Sequence, residues 1–326
     1  MILIISHPED IHSREVISHL NRMDVPVRVL DLSEFPARAA LDLRYGPQGS
    51  AFSFRNAHGT EIDLDAVGAV WWRRPQPYSF AAGLQAADYA LAECDEAFAG
   101  LWQAMRAGWI NPPVQDAAAS RKSLQLRLAG DLGLDPPLTR VTNCPEAAQA
   151  FVAEIGDVIY KPFAATTRHW RETRRFGEAE RARIANIRHA PTILQERIEG
   201  RDIRVTVIGD EIFAAEIDTS DGNYADDFRM NHNVAIRAIE LPPGVIAGIR
   251  AMMAALRLVY GAFDFRRAPD GRYRFLEVNP AGQFLFVEYE TGQPIARAFA
   301  RTLRDMAAAH GKAPAITHRN ARLSTA

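Results

Sequence analysis

Three short, largely apolar runs open the chain, at residues 2–6, 27–32 and 67–72. A strand buried on both faces reads as a continuous run rather than an alternation, so these segments predict a parallel sheet. Between the first two, residues 10–23 carry Val16, Ile17 and Leu20 on one helical face. The resulting β-helix-β opening implies a small open α/β domain. Phe52 and Phe54 alternate within residues 51–62 ahead of a His58-Gly59 turn, which predicts a hairpin.

A long helix is predicted over residues 82–106, with Asn111-Pro112-Pro113 as its stop. Residues 116–132 are rich in helix formers and contain Lys122. A strand at 138–142, a helix from Pro145 and a strand at 158–161 closed by Pro162 then begin a second, smaller lobe. From residue 192 onward the pattern is antiparallel, with strands at 193–198, 203–208, 212–217, 235–241, 261–266 and 273–278 and helices at 244–258 and 294–309. The tail after His310 has little apolar content and is expected to fray. The implied organisation is an N-terminal α/β domain over 1–112, a central lobe over 113–192, a C-terminal lobe over 193–312 and a tail over 313–326.

Composition narrows the function classes. With 326 residues, 48% hydrophobic and 24% charged, there is material for a large core. A formal charge of -2 and a pI near 6.5 give no electrostatic reason to expect nucleic acid or a membrane surface as the main partner. Cys94 and Cys144 sit in no metal-binding spacing, which suggests a reducing, cytoplasmic setting. No stretch approaches the roughly 18 apolar residues of a membrane span.

Candidate chemistry concentrates in one predicted hairpin, Phe263-Asp264-Phe265-Arg266 and Phe275-Leu276-Glu277-Val278-Asn279-Pro280, joined through Pro269-Asp270-Gly271-Arg272. If Asp270-Gly271 is the tip of a two-residue turn, Asp264 lies opposite Glu277, and a symmetric four-residue loop gives the same pairing. Arg266 then shares a face with Asp264, and Asn279 with Glu277. Two carboxylates facing each other at about 5 Å repel unless a cation offsets them. Mg²⁺ suits such hard oxygen ligands. The alternative is that both are solvated or held by Arg266. Phe263, Phe265, Leu276 and Val278 are expected on the other face.

Upstream, Lys161 ends an apolar strand, where a point charge could reach phosphate oxygens or simply be solvated. The segment Gln195-Glu196-Arg197-Ile198 precedes Gly200-Arg201-Asp202-Ile203-Arg204, in which Asp202 and Arg204 share a strand face. Taken alone, the first of these also reads as an edge strand with alternating charges.

Together, Lys122, Lys161, the Gln195–Ile198 stretch, Gly200-Arg201-Asp202-Ile203-Arg204 and Asp264 with Glu277-Val278-Asn279-Pro280 resemble the ATP-grasp pattern over roughly residues 111–302. The resemblance implies an ATP-grasp fold of mixed α/β (α+β) class, with an open α/β domain, a small central lobe and an antiparallel C-terminal lobe. It implies that Lys122 and Lys161 contact phosphates of ATP, and that Gln195, Glu196, Arg197 and Ile198 hold adenine. Asp202 would take the ribose, Asp264, Glu277 and Asn279 would bind Mg²⁺, and Arg204 and Arg266 would act on phosphate or the tetrahedral oxyanion. One departure is that residues 163–170, where the superfamily often carries a glycine-rich phosphate loop, contain no glycine.

Val70-Trp71-Trp72-Arg73-Arg74-Pro75, the opening ten residues, Asp227-Phe228-Arg229 and Glu277-Val278-Asn279-Pro280-Ala281-Gly282-Gln283-Phe284 are similar to the graspetide ligases, the microviridin-type macrocyclases. That resemblance implies a homodimeric enzyme that phosphorylates Asp or Glu side chains of a precursor peptide, leader plus core, and links them to Ser, Thr or Lys side chains. Candidate peptide contacts are Arg73 and Arg74, Arg168 and Arg171 beside Trp170, and Arg229, with His232 as a proton acceptor. Each also reads as a solvated charge. Two rivals keep the fold: a ligase resembling the ribosomal-protein glutamate (RimK-like) ligases, and a non-catalytic peptide-binding relative.

Overall fold

The computed structural model describes residues 1–163, 173–218 and 234–310. The chain divides into two compact units, one formed by Met1–Pro112 with the segment from Ala296 onward and one by Pro113–Ile295.

The first unit contains β1 (Ile2–Ser6), α1 (Ile11–Asn21), β2 (Val27–Leu30), β3 (Ala40–Gly46), β4 (Gly49–Arg55), β5 (Glu61–Asp63), β6 (Ala69–Arg74), α2 (Ala87–Ala104) and β7 (Gly108–Ile110). Its main sheet is parallel, in the order β2-β1-β6-β7. The continuous apolar run predicted that arrangement, since every residue of β1 is buried. Asp10 starts α1 by accepting from the Ser13 backbone N–H at 2.8 Å, and Val16 and Leu20 then face the core. The expected hairpin is β4–β5, with Arg55 opposite Glu61. It extends to a third strand, β3, which hydrophobic patterning missed because Leu41 and Leu43 are only half-buried.

The second unit contains α3 (Pro113–Ala119), α4 (Lys122–Asp131), β8 (Thr139–Thr142), α5 (Pro145–Ile155), β9 (Val158–Lys161), β10 (Arg174–Arg175), α6 (Glu178–Arg181), β11 (Thr192–Glu196), β12 (Arg201–Ile208), β13 (Glu211–Asp218), β14 (Ala235–Ala238), α7 (Pro243–Leu256), β15 (Tyr260–Arg267), β16 (Tyr273–Asn279) and α8 (Leu285–Thr291). The helix formers over 116–132 are divided between two helices, α3 and α4. Ser120 directs both its backbone N–H and its hydroxyl to the Asp116 carbonyl, at 3.0 and 2.9 Å, and ends α3 there.

Two sheets build this unit. The smaller runs β10-β9-β11-β8, with β11 antiparallel to both neighbours. The strand expected to open the C-terminal lobe therefore pairs inside the smaller sheet. Helix α5 covers that sheet with Ala148, Phe151 and Val152, one helical face packed on Val158 and Leu194. The larger sheet is antiparallel, β14-β13-β12-β15-β16. Ile203, Val205, Val207, Phe263, Phe265, Phe275 and Val278 pack its inner face against Ile249, Met252, Met253 and Leu256 of α7. Fully burying one such side chain contributes about 1.5–3 kcal/mol.

The β15–β16 connection differs from the symmetric turn. Ala268 donates to Arg272 O and Gly271 to Ala268 O, both at 2.9 Å, so Pro269-Asp270-Gly271 forms a three-residue loop with Gly271 at φ +85°. That loop alone would slip the register by one residue. A bulge between Asp264 and Phe265 restores it, pairing Phe265 with Phe275 and Asp264 with Glu277. The bulge also turns Leu276 out of the core, where it was expected, and Phe275 takes the core position.

The last helix, α9 (Ile295–His310), belongs to the first unit, where Phe299 packs its ring 4.2 Å from Trp71.

Candidate active site

The polar face of the larger sheet carries charges in a checkerboard. Asp202 on β12 is paired with Arg266 on β15, and one rung along the same strands Arg204 is paired with Asp264. Asp264 faces Glu277 on β16. Alternation on each strand sends these side chains to one side while their apolar neighbours fill the core.

Each contact is specific. Arg266 donates through Nη2 to Asp202 Oδ2 and sets Nε beside Oδ1, both at 3.1 Å, and its Nη1 reaches the Ile198 carbonyl at 3.3 Å. Arg204 donates through Nη1 to Asp264 Oδ1 and through Nη2 to the Gln283 carbonyl, both at 2.8 Å. Its guanidinium also lies 5.8 Å from the Phe286 ring. Burial opposes the charge on Arg204, yet Asp264, the Tyr260 phenol and Glu277 hold its pKa above the ordinary value. Lys122, at the start of α4, pairs with Glu277.

These pairs change the physical argument for a metal. The facing carboxylates do not depend on a metal for compensation, because Asp264 has Arg204 and Glu277 has Lys122. What remains is the chemistry of the donor set. Two carboxylates and the Asn279 carboxamide, whose Oδ1 accepts from Ala281 N–H at 2.9 Å, are hard oxygen donors. Among the described residues no group of three or more His, Cys, Asp and Glu could enclose a metal. The set therefore fits Mg²⁺ shared with water and phosphate oxygens rather than a closed protein cage.

Beside the checkerboard a cleft opens between the two sheets of this unit. Ile159, Lys161, Gln195, Glu196, Arg197 and Ile198 line one side, and Asp202, Arg266 and Leu276 the other. Lys161 Nζ donates to Gln195 Oε1 at 3.1 Å, and the fully buried Gln195 donates to Thr139 Oγ1 at 2.8 Å. Glu196 Oε2 accepts from Leu138 N–H and Arg274 Nη2, each at 3.1 Å. Arg197 is held by Asp157 and Glu199, each at 3.3 Å. The cleft is a slot that sets the apolar side chains of Ile159, Ile198 and Leu276 among the charged Lys161, Glu196, Arg197, Asp202 and Arg266.

The first 117 residues match the family model of the MvdD pre-ATP grasp domain. Over nearly its whole length the chain also superposes on solved structures. Macrocyclase MdnC bound with precursor peptide MdnA, from Microcystis aeruginosa MRC, is 25% identical, with 93% of this chain and 99% of that chain covered and a TM-score of 0.83. Macrocyclase MdnB from the same strain is 28% identical over 93% and 98%, with a TM-score of 0.78. ATP-grasp ligase PsnB, complexed with a phosphomimetic variant of its minimal precursor, Mg and ADP, is 28% identical over 94% and 98%, with a TM-score of 0.78.

The chain has the fold of the ATP-grasp ligases.

No curated protein matches it in sequence. The expected site residues Lys122, Lys161, Gln195, Glu196, Arg197, Ile198, Asp202, Arg204, Asp264, Arg266, Glu277 and Asn279 all lie in the second unit. Arg73 and Arg74 lie in the first. Arg73 is buried, 3.4 Å from Asp10 and 5.8 Å from the Trp71 ring, whereas Arg74 is exposed. Arg168, Arg171, Arg229 and His232 lie outside the described residues, as do most of the glycine-free segment and the tail beyond His310. Sequence reasoning missed Leu276, Gln125 and Arg274. Gln125 alone carried a legible signal, lying three residues after Lys122 in a helical segment. Among the described residues no helix is long and apolar enough to cross a membrane, and both cysteines are free thiols.

Proposed function

We propose that this ligase uses ATP and Mg²⁺ to activate Asp or Glu side chains of a ribosomally made precursor peptide and joins them to Ser, Thr or Lys side chains of the same peptide. The observation that carries the reading is the charge checkerboard Asp202–Arg266, Arg204–Asp264 and Glu277–Lys122 beside the slot. Support for the peptide substrate comes from two proteins it resembles, a macrocyclase bound with its precursor peptide and an ATP-grasp ligase complexed with a precursor variant, Mg and ADP.

The residues divide the work by chemistry. The slot between Ile159 and Leu276 takes adenine, whose polar edge meets the backbone of residues 196–198. Asp202, oriented by Arg266, accepts from the ribose hydroxyls. Lys161 and Lys122 supply point charges toward the phosphates. Asp264, Glu277 and Asn279 hold Mg²⁺, which when bound neutralises phosphate charge and aligns the transferred group.

A carboxylate oxygen of the peptide attacks the γ-phosphorus and ADP departs, leaving an acyl phosphate. A hydroxyl or amine of the same peptide then attacks the acyl carbon. The nucleophile loses its proton, inorganic phosphate leaves, and an ester or amide remains. Arg204 has five N–H groups, so contacts to Asp264 and Gln283 leave it able to donate to the oxyanion. No enzyme nucleophile is needed.

Mass spectrometry of the precursor after incubation with enzyme, ATP and Mg²⁺ tests this. Each internal link removes one water, and hydroxylamine intercepts the acyl phosphate as a hydroxamate. A mass increase by whole amino-acid residues would instead favour a ligase that adds amino acids. A verified precursor of unchanged mass would remove the peptide assignment.

A further inference from the structure

We infer that Gln125 is a positioning residue that fixes the strand carrying Glu277 and Asn279 against Lys122, an inference that rests on the metal role proposed above. Among the described residues, strand β16 is the terminal strand of its sheet, with β15 as its one strand neighbour. Where Val278 faces Phe263, its backbone N–H and C=O point away from β15. Gln125 meets both. Its Oε1 accepts from Val278 N–H at 3.0 Å and its Nε2 donates to Val278 O at 2.8 Å. One side-chain amide thus stands in for a residue of a further strand.

The second N–H of the same amide donates to Ala119 O at 2.6 Å, at the end of α3. Gln125 is 3% exposed, so the bonds are made out of water, and they engage both donors and the acceptor of the group. No other side chain of similar size does this. Glutamate lacks the two donors, asparagine is one methylene short, and an apolar residue leaves Val278 unpaired.

The clasp lies where the proposed chemistry needs it. Lys122 sits three residues earlier on α4, on the same side of the helix, and pairs with Glu277. Helix α4 therefore holds β16 at consecutive residues, Glu277 through its side chain and Val278 through its backbone. Glu277 and Asn279 flank Val278 and project to the opposite face of the strand. Fixing the Val278 peptide fixes where both oxygen donors point, as outer hydrogen bonds do for metal ligands generally.

The test uses full-length protein in two measurements. Titration calorimetry of ADP at several Mg²⁺ concentrations compares wild type with Gln125→Met, both checked for folding by circular dichroism. The expected result is ADP affinity without Mg²⁺ close to wild type, a half-saturating Mg²⁺ concentration raised about 10- to 100-fold, and kcat lowered by a similar factor. A merely structural glutamine would lower Tm and leave the Mg²⁺ dependence unchanged. Independently of any variant, hydrogen exchange in the wild type reports the Val278 amide, expected to exchange at least about tenfold more slowly than an unpaired amide. A folded Gln125→Met with the wild-type Mg²⁺ response, or an unprotected Val278 amide, overturns this inference alone. Wild-type ADP binding that ignores Mg²⁺ overturns it together with the functional reading.

Discussion

Arg204 and Asp264 occupy directly opposed positions on β12 and β15 and meet at 2.8 Å from Nη1 to Oδ1. In the proposed reaction the pair would set an oxyanion donor beside a metal ligand. Lysine offers one point charge in place of the planar fork and cannot meet Asp264, the Gln283 carbonyl and a developing oxyanion together. Arg204→Lys is expected to lower kcat about 10²- to 10³-fold with ADP affinity unchanged. Steady-state kinetics paired with calorimetry checks it.

Gly282 lies beneath the same guanidinium. A Cβ there would come 2.9 Å from Arg204 Nη2 and 2.4 Å from the Ala262 Cβ, so one of them has to move. Gly282→Ala is expected to reduce kcat about 10- to 100-fold by displacing Arg204. Unchanged kcat in a folded variant would separate Arg204 from the chemistry.

Asp202 is held by two contacts to Arg266. If it accepts from the ribose, Asp202→Asn weakens ADP binding about tenfold or more. Deoxygenated ADP should then bind wild type and variant with nearly equal affinity, since both changes remove one interaction. Fully additive losses in calorimetry would place the ribose elsewhere.

Asp116 is costly at neutral pH. Burial raises its pKa from 3.8 to about 6, and one of its buried carboxylate oxygens has no hydrogen-bond partner. Between those values the folded chain keeps a proton that the unfolded chain has released, so stability falls as pH rises through the window. Asp116→Asn is expected to stabilise the protein at pH 7.5 by about 1–2 kcal/mol and to flatten its pH dependence between about 4 and 6. Denaturant unfolding across pH measures both.

Much of this was legible in the sequence because it rests on local periodicity. The apolar run at Ile2–Ser6 read correctly as a buried parallel strand. Facing of Asp264 and Glu277 was also read correctly, although by a different route: a three-residue loop and a bulge cancel to the register that a symmetric turn would give. The displaced residue, Leu276, was illegible for the same reason, since no pattern in a seven-residue strand announces a bulge. The organic cations on the carboxylates were also missed. Lys122 and Glu277 lie 155 positions apart, and only the packing of α4 on β16 brings them together. The first unit shows the converse in Arg73, where an arginine at a strand end looks solvated in sequence and is buried beside Asp10 in the fold.

Calorimetric titration of ADP into wild type and Glu277→Gln, with and without Mg²⁺, addresses the acid pair itself. Wild-type affinity should rise when Mg²⁺ is added, and Glu277→Gln should lose that rise while keeping the metal-free affinity. Equal Mg²⁺ enhancement in both proteins, or no ADP binding by either, would contradict the assignment of these residues to a nucleotide-bound metal.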